Sequence, residues 1–157
     1  FYERRNFRDK YKRPFEFVVS ALRATGARLE GYDGILDALA KMNEPIYRCQ
    51  DPTGYYDQAE AWRDPGAIAT RWVFACDLAA GQVAGVRIPD SFYDDLDPAR
   101  PESWPATLAG KILPGLRLSQ ATARKLEELA RRHAGAPRQA GTAMVAVLLG
   151  SPEFQRQ

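Results

Sequence analysis

The chain has 157 residues, 45% of them hydrophobic, which is enough to bury a core without cross-links. Its 22 basic and 20 acidic residues leave a formal charge of +2, so net charge makes no case for a polyanionic partner and sets nucleic acid aside. The longest apolar runs, such as residues 143–149, fall far short of the ~20 residues of a membrane-spanning helix, and no membrane span is expected.

The opening stretch, FYERRNFRDKYKRPFEF, has neither an initiator methionine nor the apolar core of a signal peptide. It reads as part of a longer polypeptide, with residues 1–157 forming a single helical domain at its C-terminal side. Arg4, Arg5, Arg8, Lys10, Lys12 and Arg13 stand among Phe1, Tyr2, Phe7 and Tyr11, a mixture that suits single-stranded nucleic acid. Glu3 and Asp9 interrupt it, and the same residues wrapped on a helix give an ordinary amphipathic surface.

From Pro14 the spacing of Phe15, Val18, Val19 and Leu22 predicts a helix stopped by Gly26. A second helix is expected in GYDGILDALAKMN, with Tyr32, Ile35, Leu36 and Leu39 on one face and Asn43 and Pro45 ending it; the two helices should pair as a hairpin. The stretch CQDPTGYYDQAEAWRDPGA, residues 49–67, has no helical or strand periodicity. Asp64 and Pro65 then mark a helix start, and residues 65–80 should be helical up to Gly81. Because Trp72, Val73, Phe74, Ala75 and Cys76 are apolar all round, this helix is expected to be the central, most buried element, with Cys76 a buried thiol. Arg71 and Asp77 are its charges, expected in ion pairs or facing a cavity.

Residues 82–103 read as a loop with one helical turn near Phe92 and Tyr93, followed by a short helix carrying Leu108, Ile112 and Leu113. Ser119 caps an amphipathic helix with Thr122, Leu126, Leu129 and His133 on one face; the last helix runs from Pro137 to Gly150, and Phe154 should fold back on the core. No stretch alternates like a strand. The expected class is all-α, an irregular bundle of about six helices with long loops.

The chemistry is sparse. His133 is the one imidazole, at a helix end where it complements the dipole, and no serine stands in a GxSxG elbow. Asp90, Asp94, Asp95, Asp97 and Glu102 lack the spacing of a calcium loop, and Cys49 with Cys76 match no zinc spacing, although a single disulfide stays open. Neither a metal, a cofactor nor a catalytic set is assigned. Glu60 and Asp64 are a carboxylate pair of the sort any helical protein offers.

The segments KYKRPFEFVVSALRATG (10–26), EPIYRCQDPTGYYDQAEAWRDPGAIATRWVFA (44–75) and LLGSPEFQRQ (148–157) together resemble the C-terminal end of the bacterial domain-of-unknown-function family numbered 1800. The family pattern falls on Pro14, Glu16, Arg23, Pro52, Gly54, Trp62 and Arg71 and on Ser151 to Phe154. This chain departs from it at Asn43-Glu44, usually Gly-Gln, and at Tyr55-Tyr56, commonly Trp-Pro. The resemblance implies a larger helical protein, often exported and encoded beside another exported protein, with no established reaction; an exported or periplasmic location follows from it alone.

Two functional readings follow. In one, Tyr55, Tyr56 and Trp62 plug the loop onto the helices and the chain is a structural or interaction module, its partner the upstream part of the same protein or another exported protein. In the other, these aromatic rings line a groove for a glycan, with Arg71, Glu16 and Arg23 as polar anchors, within a carbohydrate-active or glycan-binding site completed upstream. Arg71 is expected to tie down the loop between Asp51 and Trp62.

Overall fold

The computed structural model describes residues 10–56 and 58–156; the basic and aromatic residues among positions 1–9 lie outside them. The described chain is mostly helical, with six α-helices: α1 (Pro14–Thr25), α2 (Asp33–Lys41), α3 (Pro65–Ala80), α4 (Trp104–Ile112), α5 (Gln120–Arg132) and α6 (Pro137–Gly150). Single 3₁₀ turns occupy Ala59–Trp62, Asp90–Tyr93 and Pro101–Ser103, the second where the sequence placed one. The stop and start signals act as expected. Asp64 accepts the Ala67 N–H at 3.0 Å, Ser119 the Thr122 N–H at 3.3 Å, and Gly26 and Gly81 close their helices in the left-handed conformation.

One element escaped the sequence reading. Residues Arg28–Leu29 (β1) and Val86–Arg87 (β2) pair antiparallel, a ladder too short to show alternation. Gly85, at φ +71°, passes so close to Gly31 that an added Cβ would lie 2.8 Å from its backbone, and this contact fixes where the two segments cross.

The core is centred on α6, not on α3. Ala140, Gly141, Met144, Val145, Leu148 and Leu149 are buried, and α3, α4 and α5 all pack against this helix. On α3, Arg71, Phe74, Ala75 and Leu78 are buried, whereas Trp72 and Val73 keep 40% and 59% of their surface and Cys76 is exposed. Composition misplaced it: an all-apolar run does not say which face is covered, and several of its residues are small. Both described thiols are free.

Two faces are rotated from expectation. On α1 the buried residues are Pro14, Phe17, Val18, Ala21 and Thr25, leaving Phe15 exposed; on α2 only Ala38 and Leu39 are buried, with Tyr32 and Leu36 exposed. The α1–α2 contact expected of a hairpin is present. Phe154 folds back as expected, edge-on to Phe17 at 5.9 Å between ring centroids, within the turn made by residues 151–155.

Candidate functional site

Among the described residues, Arg71 and Lys12 are the buried cations. Arg71 leaves the buried side of α3 and donates from Nη1 to Gln155 Oε1 at 2.8 Å and from Nη2 to the Lys12 carbonyl at 2.7 Å. Its guanidinium stands 4.6 Å from the Tyr11 ring centroid and 5.3 Å from that of Phe17. A fixed acceptor was expected and is present. The expected tether to the 51–62 loop is not: the acceptors belong to the segment before α1 and the turn after α6, and both are neutral, so Arg71 forms no ion pair with Asp77. Burial lowers the guanidinium's pKa, opposed by Tyr11, Glu44 and Glu16.

The segment and the turn are joined further. The Lys12 N–H donates to the Gln155 carbonyl at 2.8 Å, Tyr11 bridges Arg156, and Gln155 Nε2 donates to the Leu149 carbonyl at 3.2 Å. Lys12 Nζ donates to the Phe154 carbonyl at 2.7 Å and lies 4.0 Å above that residue's ring. Burial pushes its ammonium down from 10.5 to about 8, with Arg71 reinforcing and Glu16 opposing. The turn is pinned on its other side as well. Ser151 Oγ donates to the Leu148 carbonyl and accepts the Phe154 N–H, while Glu153 accepts the Ser119 N–H at 2.6 Å.

Glu16 and Glu44 together finish the N-terminus of α1. Glu16 accepts the Arg13 N–H and the Lys10 ammonium, both at 2.9 Å, and Glu44, reaching from beyond α2, accepts the Phe15 N–H at 2.7 Å. Burial alone would raise the Glu16 pKa; Lys10 and Arg13 outweigh it and hold the carboxyl below its ordinary value. The departures from the family pattern at positions 43 and 44 keep their physical roles. Asn43 sits at φ 65°, where glycine is easiest and asparagine next, and position 44 needs an acceptor oxygen that glutamine also carries.

The loop holds itself. Asp51 accepts the Thr53 N–H and hydroxyl, and Gly54 turns the chain at φ 86°. Tyr55 donates its hydroxyl to the Pro45 carbonyl at 2.7 Å, and its ring lies 6.2 Å from that of Trp62. Trp62 is 5% exposed and donates Nε1–H to the Tyr56 carbonyl at 2.8 Å. Tyr56 itself points outward, 62% exposed. The six sequence-nominated residues therefore do not converge: Tyr55 and Trp62 serve the loop, Arg71 and Glu16 the neighbourhood of the α1 N-terminus, Tyr56 is open, and Arg23 is exposed in the last turn of α1. Lys12, Glu44 and Gln155 were missed as site residues. Their one legible signal was position within the family-like segments.

The arrangement defines a mostly helical fold whose first and last described segments are held together by a buried arginine. The chain belongs to the family described as Protein of unknown function (DUF1800), whose model matches residues 1–156. Comparison with curated proteins finds no match, nor does comparison with solved structures.

Proposed function

We propose that this chain is a single helical module of a longer protein and serves assembly or binding rather than catalysis. The observation that carries this reading is the use made of the most specified side chains: Arg71 spans to Lys12 and Gln155, Tyr55 bonds to the Pro45 carbonyl ahead of its loop, and Trp62 bonds within the loop. Groups committed to internal partners support a scaffold whose outer surface meets the upstream part of the same polypeptide or another exported protein. The test is a hydrolase panel run on the isolated chain. Turnover that disappears on Glu60→Gln or Asp64→Asn overturns the proposal; no turnover, with saturable capture of the upstream segment of the same protein, supports it.

A second reading, a glycan-binding surface completed upstream, draws on Tyr56 and on Tyr47, which is fully exposed and held at φ 61°, a costly conformation for a tyrosine. Tyr55's bond to Pro45 brings their two chain segments together. Tyr56→Ala and Tyr47→Ala should each weaken retention on an oligosaccharide array if this reading is right; retention equal to that of the parent chain rejects it.

A further inference from the structure

Where the C-terminal turns of α1 and α4 come together, an open cleft of about 350 Å³ is lined by the polar residues Lys12, Ser20, Arg23 and Lys111 and by apolar residues that include Ile112 and Pro114. Its size lies at the lower end of small-molecule clefts, about 300–1,000 Å³. None of its lining residues is acidic.

The three cations differ in how far they are already satisfied. Arg23 is exposed and has no ion pair or side-chain hydrogen bond among the described residues. Lys111 donates to the Phe92 carbonyl and pairs with Asp95 at 2.7 Å, but that carboxylate is 67% exposed and hence well screened. Lys12 is 7% exposed, and its ammonium bonds a neutral carbonyl. Glu16, the acid that acts on it, is already bonded to Lys10 and the Arg13 N–H.

Arg23 and Lys111 each occupy the last turn of a helix, where a cation offsets the carbonyl end. That accounts for one charge per helix. Lys12 lies on neither helix; its buried ammonium is held by the Phe154 carbonyl and ring and has no carboxylate partner, so an anion reaching it would offset part of the cost of its burial. Burial is the main cause of its depressed pKa, with Arg71 adding to it and Glu16 opposing.

We propose that Lys12, Arg23 and Lys111 form a site for the carboxylate or phosphate head of a small organic anion whose apolar body rests on Pro114 and Ile112. The anion supplies the countercharge that Lys12 lacks, Arg23 presents a planar fork to two of its oxygens, and the apolar lining favours an organic ligand over a free inorganic ion.

The experiment is an amide NMR titration of the full chain with benzoate and phenyl phosphate, alongside inorganic phosphate and neutral benzamide. The expected result is saturable shifts at Ser20, Arg23, Ala24 and Ile112 with one or both organic anions. Arg23→Ala should weaken that binding at least about tenfold, the scale of one lost charge-assisted bond. Arg124→Ala, on the exposed side of α5, should leave it unchanged. Tighter binding of phenyl phosphate than of benzoate assigns the head as phosphate, and the reverse order as carboxylate. No saturable shift at tens of millimolar of either organic anion overturns the proposal, as does benzamide binding equal to benzoate, inorganic phosphate binding more tightly than both, or identical affinity in Arg23→Ala. Because Arg23 is exposed, that variant tests the site without endangering the fold.

Discussion

Replacing Arg71 by lysine keeps the charge but leaves the Lys12 carbonyl and the Gln155 side-chain oxygen to share a single ammonium. They are met by two different guanidinium nitrogens, at 2.7 and 2.8 Å. The Nε–H has no hydrogen-bond partner among the described residues, so those two bonds and the flanking rings of Tyr11 and Phe17 provide its compensation. Arg71→Lys should therefore cost about 2–4 kcal/mol, read as a shift in urea midpoint. Hydrogen exchange should quicken first at Lys12 and at Phe154–Gln155, ahead of the loop at 50–63; loop amides exchanging first would restore the loop tether. Lys12 offers a pH test at the same scale. Its folded pKa of about 8 lies below the ordinary 10.5, so between those values the unfolded chain still binds a proton that the folded chain has released. Stability contributed by this group must then rise with pH across that window, and below it both forms are charged. Urea midpoints of the parent and Lys12→Met, compared from neutral pH to about pH 10, should show the rise in the parent's difference from the variant. A pH-independent difference means that the ammonium is not depressed.

At the scale of the elements, the two sides of α3 predict opposite outcomes. Phe74→Ala empties a buried site against Phe17 and should cost about 3–5 kcal/mol, whereas Val73→Ala, one residue earlier but exposed, should stay within about 0.5 kcal/mol. Equal midpoints for the two variants would falsify the assigned orientation of the helix. Glycines on two other helices make a matched pair. A Cβ at Gly34 would fall 2.5 Å from the Ala84 carbonyl oxygen, a backbone atom with little room to give, so Gly34→Ala should destabilise by about 1–3 kcal/mol. A Cβ at Gly110 meets nothing within 4 Å inside α4, and Gly110→Ala should add about 0.5–1 kcal/mol in a thermal melt. Helix starts and stops were legible because Asp64, Pro65, Gly81 and Ser119 act locally, through their own backbone preferences. Which face of α1, α2 or α3 is covered was not: Phe15 and Phe17 are equally apolar, and only the placement of Phe74 and Phe154 decides that Phe17 goes in.

At the scale of the whole molecule, the all-helical class was legible from periodicity, while the site was not. Lys12 and Phe154 are 142 positions apart, and nothing in the local chemistry of either predicts the other; the family-like segments indicated that both ends mattered without indicating that they touch. Tyr55 and Trp62 were recognisable as specified positions, but whether an aromatic ring plugs a loop or faces solvent depends on a carbonyl such as that of Pro45, which every residue carries. The contact between the segment at Tyr11–Lys12 and the turn at Gln155–Arg156 has a consequence for connectivity. With those positions bridged side by side, a linker of a few residues can join them, and the backbone can instead be opened at the exposed Gly135 between α5 and α6. Such a circular permutant should fold with the same helical circular-dichroism spectrum, its clasp now a covalent continuity, and should tolerate Arg71→Lys better than the parent does.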